Sequence, residues 1–306
     1  MSIEVEPLVT VIAVCYNHSR FVVECLESIR QQSYPSIQLI IMDDCSKDDS
    51  VQIIRDWINR NQIECTFIPH QKNIGLPKTI NEALGFARGE FISIIATDDV
   101  WLKDKTEHQI KIFKNASPTV GIVYSDADQI DPNGCLVKKG FIEDYRSFAK
   151  PPEGFIFPLF LRGNFIPAPS VLIRRSCYEK VGLYNEDIPY EDWDMWLRIS
   201  QYYEFAFSDQ TTTLYRVVPS SLVRTMSKQD WALSNSIIFK KLLASPGLLF
   251  KHRRRIKKNL TDIYWKQALF DQKNRLQHLR NAMKYSFFRT IKFIINQMVK
   301  GWEINH

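Results

Sequence analysis

The 306-residue chain has no C-x-x-C pair and no Cys/His cluster at zinc-binding spacing. Its six cysteines, at 15, 25, 45, 65, 135 and 177, are read as reduced thiols rather than metal ligands or a disulfide framework. Long apolar runs are missing too: a stretch such as Phe155 to Phe160 falls far short of the roughly 18–20 residues that span a bilayer. The opening MSIEVEPLVTVIAV lacks a basic n-region and a small-residue cleavage site, so no secretory signal is expected. After the first apolar run stands Cys15-Tyr16-Asn17-His18-Ser19, not a G-x-G-x-x-G. Neither G-x-x-x-x-G-K-[ST] nor G-x-S-x-G occurs. These absences disfavour a dinucleotide dehydrogenase, a P-loop ATPase and an α/β hydrolase. No internal repeat or low-complexity tract is present.

What is there is a chain that is 45% hydrophobic, enough for a sizeable core and one large domain with an appendage. The net charge of +6 is uneven: residues 251–306 hold 14 Lys+Arg against 3 Asp+Glu, a net +11, which leaves the first 250 residues at −5. An acidic body argues against nucleic acid as a partner, and the basic tail asks for an electrostatic partner of its own.

Leu8–Val14 is a continuous β-branched run, as a strand buried on both faces would be. Arg20–Gln32 has apolar residues at helical spacing. Ile37–Met42 predicts a second strand, ending at Asp43-Asp44, with Ser46 as the cap of the next helix. Ile63–Ile68 and Glu90–Ala96 predict two more strands, separated by a helix over Pro77–Arg88. The last of these strands ends at Thr97-Asp98-Asp99. Alternating strands and helices predict a mostly parallel, doubly wound α/β sheet, whose ligands bind beyond the carboxyl ends of the strands. Both acidic pairs fall on that edge. Further along, Val120–Tyr124, Ser170–Arg174 and Thr212–Val218 read as strands and Trp193–Tyr203 as a helix. Asp131-Pro132-Asn133-Gly134 reads as a hairpin tip and Phe141–Gly154 as a mobile loop. Beyond about Gln229 the pattern is helical only.

A nucleoside diphosphate that leaves a sugar develops about two negative charges. Adjacent aspartates at a strand end can hold Mg²⁺ or Mn²⁺ against that charge, with water and phosphate oxygens completing the shell. An isolated Asp-Asp pair is more often a helix cap, here for a helix near Leu102; its place at the end of a buried strand, opposite a second pair, weakens that reading. Transfer to a hydroxyl also needs a general base. Tyr190-Glu191-Asp192-Trp193-Asp194 offers three acids among aromatics at a helix start, where acids also serve the helix dipole.

The order of three segments resembles the family 2 glycosyltransferases of the GT-A fold: VTVIAVCYNHSRFVVECLESIRQQSYPSIQLIIMDDCSKDDS, NIGLPKTINEALGFARGEFISIIATDDVWL and NFIPAPSVLIRRSCYEKVGLYNEDIPYEDWDMWLRIS. Together they cover about residues 7–220. The resemblance implies a catalytic domain over 1–228, its nucleotide-binding half at about 1–125 and its acceptor half at about 126–228, with a helical region over 229–306. It implies that Tyr16 packs on the nucleobase and Asp44 accepts from it. It also implies that Asp98 reaches ribose or metal and Asp99 the metal, with Asp192 as catalytic base supported by Glu191. The implied reaction inverts the anomeric centre in one displacement, with Mn²⁺ or Mg²⁺ as cofactor and a UDP-sugar as donor. Saccharide or lipid-linked saccharide is the implied acceptor, in bacterial surface polysaccharide or lipopolysaccharide assembly. Two positions depart from the pattern: Ala96 replaces the first acid of the DxD region, and Val218 stands where relatives often place a metal-binding His. On those two grounds the alternative is a catalytically silent relative that binds nucleotide sugar or scaffolds an assembly.

Lys78 is a candidate for the diphosphate, although a solvated helix lysine is the simpler reading. His18 reads as a plain loop residue, NFIPAP (164–169) as an acceptor-side loop, and Trp101 and Trp193 as sugar-stacking or core residues. In the tail, KHRRRIKK (251–258) is dense in cations, and Phe288, Ile291, Ile295, Met298 and Trp302 recur at helical spacing with Arg289, Lys292 and Lys300 between them. Such a helix suits contact with an anionic membrane surface, or packing on the protein or in a homo-oligomer. The expected location is cytoplasmic, peripheral on the inner face of the membrane.

Overall fold

A computed structural model describes residues 6–219 and 221–304, with backbone alone at 223 and 298–304. The chain divides into two compact units, Met1–Ser221 and Leu222–His306.

In the first unit β1 (Val9–Cys15) and β2 (Ile37–Asp43) lie parallel, in register from Val9 opposite Ile37 to Cys15 opposite Asp43. Every residue of β1 is buried, as an unbroken apolar strand covered on both faces should be. The helices that follow are α1 (Val22–Arg30), α2 (Ser50–Asn61) and α3 (Leu76–Phe86), flanked by β3 (Thr66–Pro69) and β4 (Phe91–Ala96). Each helix turns its apolar stripe inward: Val22, Cys25, Leu26 and Ile29 on α1, Ile54 and Trp57 on α2, Ile80 and Ala83 on α3. Gly89, just past α3, lets β1 approach closely, because a Cβ there would meet the Thr10 amide nitrogen at 2.5 Å.

Next come β5 (Val100–Trp101), α4 (Lys105–Asn115), β6 (Val120–Ile130), β7 (Leu136–Lys138), α5 (Ile142–Tyr145) and α6 (Phe157–Phe160). The unit closes with β8 (Leu172–Arg174), α7 (Arg175–Val181), α8 (Asp192–Ile199) and β9 (Glu204–Arg216). The sheet order is β3-β2-β1-β4-β8-β6-β9-β5, with β7 paired to β6. It is parallel from β3 to β4 and mixed beyond: β8 runs antiparallel to both its neighbours, and β9 runs parallel to β6. The expected α/β class holds.

Three local expectations change. β9 begins at Glu204, not Thr212; its polar Ser208-Asp209-Gln210 stretch looks like a loop, but β6 accommodates it through a register shift between Ser125 and Ala127. The segment Phe141–Gly154 is built rather than a bare loop. Asp126 Oδ1 accepts the amides of Phe141 (2.7 Å) and Ile142 (3.0 Å) at the start of α5, and Gly154 exchanges two backbone bonds with Phe205. The helix after Asp98-Asp99 starts only at Lys105, so that pair caps nothing. The Asp131–Gly134 turn forms the expected hairpin tip, closed by the Gly134 amide donating to Asp131 O at 3.0 Å.

The second unit consists of α9 (Leu222–Thr225), α10 (Lys228–Ala244), α11 (Phe250–Phe270), α12 (Arg275–Tyr285) and α13 (Phe287–Ile304). Ser227 caps α10, accepting from the Asp230 amide at 3.1 Å. Ile256, Leu260, Ala268, Leu279 and Ala282 are buried among these helices, and the rings of Trp265 and Phe293 stack at 4.7 Å. Of the expected α13 stripe, Phe288 and Ile295 are exposed, while the side chains of Met298 and Trp302 lie outside the described residues. Among the described residues no helix is long and apolar enough to cross a membrane.

Candidate active site

The carboxyl ends of β1, β2 and β4 lie side by side, and the sharp turns after β1 and β2 need left-handed backbone. Asn17 (φ 58°) and Cys45 (φ 64°) adopt it, Asn17 being among the residue types that tolerate it best. The two turns are stapled together: Ser46 Oγ accepts from the Asn17 amide at 2.8 Å and donates to Asp43 Oδ2, while Asn17 Oδ1 accepts from the Lys47 amide at 2.7 Å. Ser46 is therefore not the helix cap expected of it; α2 starts at Ser50, and Ser46 serves the neighbouring turn instead.

Tyr16 stands between these turns with 44% of its surface exposed, so a flat ligand has access to it. Asp44 is buried and already engaged. Its Oδ1 accepts from the Ile74 amide (2.8 Å) and faces His70 Nδ1 (3.0 Å), and its Oδ2 accepts from the Gly75 amide (2.9 Å). One lone pair on Oδ2 remains for a ligand. Lys78 is exposed on the first turn of α3. His70, which the sequence reading missed, also lies 3.3 Å from Glu82, so it bridges Asp44 to the surface.

At the end of β4, Asp98 keeps part of its side chain open and Asp99 is buried. His18 is no plain loop residue: its Nδ1 bonds to Thr97 Oγ1 at 3.0 Å, and its Nε2 lies 3.7 Å from Asp98 Oδ2. Asp99 Oδ1 accepts the Arg216 amide at 2.7 Å. Burial, then the charge of Asp98, holds the Asp99 carboxyl well above its usual range. Arg216 was not singled out by sequence, yet it braces this loop. Its buried guanidinium donates to Asp98 O (2.7 Å), Asp131 O (3.0 Å) and Glu24 Oε2 (2.6 Å).

Two adjacent carboxylates that repel one another in a buried setting suit a hard divalent cation. Asp98 and Asp99 are the residues that would hold it, with the remaining ligands from phosphate and water. Val218 is buried and apolar, and among the described residues no cluster of three or more His, Cys, Asp or Glu side chains is placed to hold a metal alone.

Glu191 and Asp192 stand at the start of α8, each half-buried. Asp192 Oδ1 accepts its neighbour Trp193's amide and Oδ2 accepts Asn164 Nδ2, both at 2.6 Å. Asn164 is itself locked, its Oδ1 accepting the amides of Phe165 (2.9 Å) and Ile166 (3.1 Å). Burial pushes Asp192 up to about 6 against the pull of these bonds. Burial, then the charge of Asp192, pushes Glu191 up to about 8. The two carboxyls interact and titrate as a pair, both held above their usual range by burial.

Tyr215 joins the two acidic groups. Burial holds its phenol far above its usual range, and Asp99, Asp98 and Asp192 all add to the shift, so the three carboxylates lie within electrostatic reach of one hydroxyl. Phe141 packs edge-on against Tyr215 (5.1 Å) and stacks on the exposed Tyr145 (4.7 Å). The two tryptophans considered for sugar stacking are instead buried, with Trp101 Nε1 donating to Pro169 O (2.8 Å) and Trp193 Nε1 to Phe160 O (2.9 Å).

This sheet order, with acidic pairs at the carboxyl ends of its parallel strands, is that of a glycosyltransferase of the GT-A fold. Residues 10–182, more than half of the chain, match the family described as Glycosyl transferase family 2, and the chain belongs to that family. It is 26% identical over 215 residues to the uncharacterized glycosyltransferase MJ1057 of Methanocaldococcus jannaschii, covering 69% of this chain and 71% of that one. It is 28% identical over 250 residues to the UDP-Glc:alpha-D-GlcNAc-diphosphoundecaprenol beta-1,3-glucosyltransferase WfaP of Escherichia coli, covering 80% and 89%. With the putative teichuronic acid biosynthesis glycosyltransferase TuaG of Bacillus subtilis it shares 27% over 172 residues, covering 56% and 64%. Among solved structures, S. aureus TarS 1-349 in complex with UDP-GlcNAc superposes with a TM-score of 0.68 at 17% identity, covering 92% of this chain and 82% of that one. The mannosyltransferase PcManGT of Pyrobaculum calidifontis, in complex with GDP-Man and Mn2+, gives 0.62 at 16%, covering 98% and 81%. These structural likenesses establish the shared fold.

Proposed function

We propose that this enzyme transfers a sugar from UDP to a hydroxyl of a saccharide carried on a membrane lipid, with inversion, in surface polysaccharide assembly. The placement of the acids supports this above all: Asp44 and the Asp98-Asp99 pair follow the neighbouring carboxyl ends of β2 and β4 on either side of β1. The relatives support the pathway, since WfaP and TuaG are named for a UDP-glucose reaction on a lipid diphosphate and for teichuronic acid synthesis.

In this reading Tyr16 stacks on the uracil and Asp44 offers its remaining lone pair to the base N–H. Lys78 reaches toward the diphosphate from α3. Asp98 and Asp99 would hold a divalent cation, which would supply positive charge against the departing diphosphate. Asp192 takes the acceptor's proton as the acceptor oxygen bonds to the anomeric carbon, and the bond from that carbon to the UDP oxygen breaks. Glu191 supports the base from the neighbouring position. Tyr145 and Phe141 form the acceptor-side wall.

The test is a thermal-shift panel of UDP, GDP and dTDP, each with and without Mn²⁺, followed by hydrolysis of UDP-sugars. A ligand bound by the folded state alone raises its stability as RT ln(1 + [L]/Kd). UDP with Mn²⁺ should give the largest shift. A larger shift with another nucleotide overturns the donor assignment, and release of the retained anomer overturns inversion.

A further inference from the structure

The basic helices of the second unit present a surface that the transfer reaction does not use. On α11 the residues Phe250, Lys251, Arg254, Lys257 and Lys258 are all exposed. At about 100° per residue they fall within an arc of about 120° on one side of the helix. None of the four cations pairs with a carboxylate among the described residues. The opposite side of α11 is spent on packing, with Ile256 and Leu260 fully buried.

Further along α11 the same side is covered. Asp262 pairs with Arg289 of α13 at 2.9 Å, and Trp265 stacks on Phe293. The first turn of α13 therefore closes the open cationic stretch at its far end, and that turn bears Phe287 and Phe288, 56% and 86% exposed. At the near end stand Leu249 and Phe250, 58% and 81% exposed. The two apolar ends are separated by about 18 Å of helix axis, at about 1.5 Å per residue from 250 to 262.

We propose that this face docks on an anionic phospholipid bilayer, with the four cations over the headgroups and the apolar pairs at either end, Leu249 with Phe250 and Phe287 with Phe288, inserted at the acyl boundary. The charge is of the sign that an anionic surface attracts, and exposed phenyl rings on both sides of the cations suit an interface that is polar outside and apolar beneath. The surface shifts the membrane contact expected on α13 to the start of α11. A highly charged partner without an apolar layer, such as nucleic acid, would leave those four apolar side chains without a role.

The experiment is co-sedimentation of the full chain with vesicles of phosphatidylcholine alone or with about 30 mol% phosphatidylglycerol, at low and high salt. The wild type should pellet with the anionic vesicles only, and lose binding as salt rises. Combined Lys251→Glu, Arg254→Glu, Lys257→Glu and Lys258→Glu should abolish it. Phe250→Ser with Phe288→Ser should weaken it at least about tenfold, since each buried CH₂ counts. Thermal unfolding by circular dichroism checks that each variant is folded; if the charge variant unfolds, Lys251→Gln with Lys258→Gln replaces it and should lower affinity about tenfold. Equal binding to neutral vesicles, undiminished binding by the variants, or a stable dimer that buries the face and sediments with no vesicles overturns the proposal. Hydrolysis of UDP-sugar by the same variants should be unchanged, so this outcome is independent of the assigned reaction.

Discussion

Asn164 Nδ2 donates to Asp192 Oδ2 at 2.6 Å, so the side chain assigned as base is aimed by a loop as well as by the Trp193 amide of its own helix. Asn164's carbonyl oxygen is fixed by two backbone amides, which sets which way its amide faces. The orientation of Asp192 follows from its two contacts, and its raised proton affinity from burial set against the backbone amides and Asn164.

Asp192→Asn should lower the turnover number by about a thousandfold while nucleotide binding stays intact, because the proton acceptor is removed and the shape is kept. Wild-type turnover should rise with pH through about 6 as Asp192 ionises. Initial rates at saturating donor from pH 5 to 9 check both. A rate that stays flat from pH 5 to 7 would remove Asp192 from the proton transfer.

Asn164→Ala should move the acid limb of that profile upward by about half a unit to one unit, since a bond that favours the ionised carboxylate is lost. Turnover at pH 7 should fall about tenfold, with the donor KM little changed. A fall in rate with an unmoved limb would mean that Asn164 only holds the loop.

Glu191→Gln should stabilise the protein, and more so at high pH. The unfolded chain releases the Glu191 proton near 4.5 and the folded chain holds it to about 8. Between those values the folded state binds more protons, so wild-type stability falls as pH rises and then levels off. Glutamine titrates nowhere in that window. The gain should be near zero at pH 4.5 and on the order of 2 kcal/mol at pH 9, allowing for the partly open setting, by urea unfolding at both pH values.

Arg216→Met should cost about 3 kcal/mol or more, because it strips a buried donor from the carbonyls of Asp98 and Asp131 and from Glu24. Metal-stimulated hydrolysis should fall with it. Denaturant unfolding and a Mn²⁺ titration of the rate are the checks.

The parallel half of the sheet was legible because its code is local. An unbroken apolar run marks β1, and the acids that follow β2 and β4 mark the ligand-binding edge. The same logic located Asp192 at a helix start. What stayed hidden depends on pairings between distant residues: His18 with Thr97, His70 with Asp44, Asn164 with Asp192, and Arg216 with Glu24 across 192 positions. No spacing rule reports such pairs. For Trp101 and Trp193 the sequence left sugar stacking and core packing open, because a large ring beside an acidic motif suits either; the structure places both in the core with the N–H satisfied. β9 was shortened for a related reason: polar residues that read as a break are tolerated where the partner strand shifts register.

The guanidinium of Arg216 lies almost at the end of the first unit, yet it fastens segments made much earlier: α1 through Glu24, the β4 loop through Asp98, and the hairpin through Asp131. A nascent chain therefore has all its nucleotide-facing strands long before it has the clasp that shapes their rim. Fragments that stop short of residue 216 should therefore keep their parallel strands yet lack this clasp, and show no transferase activity.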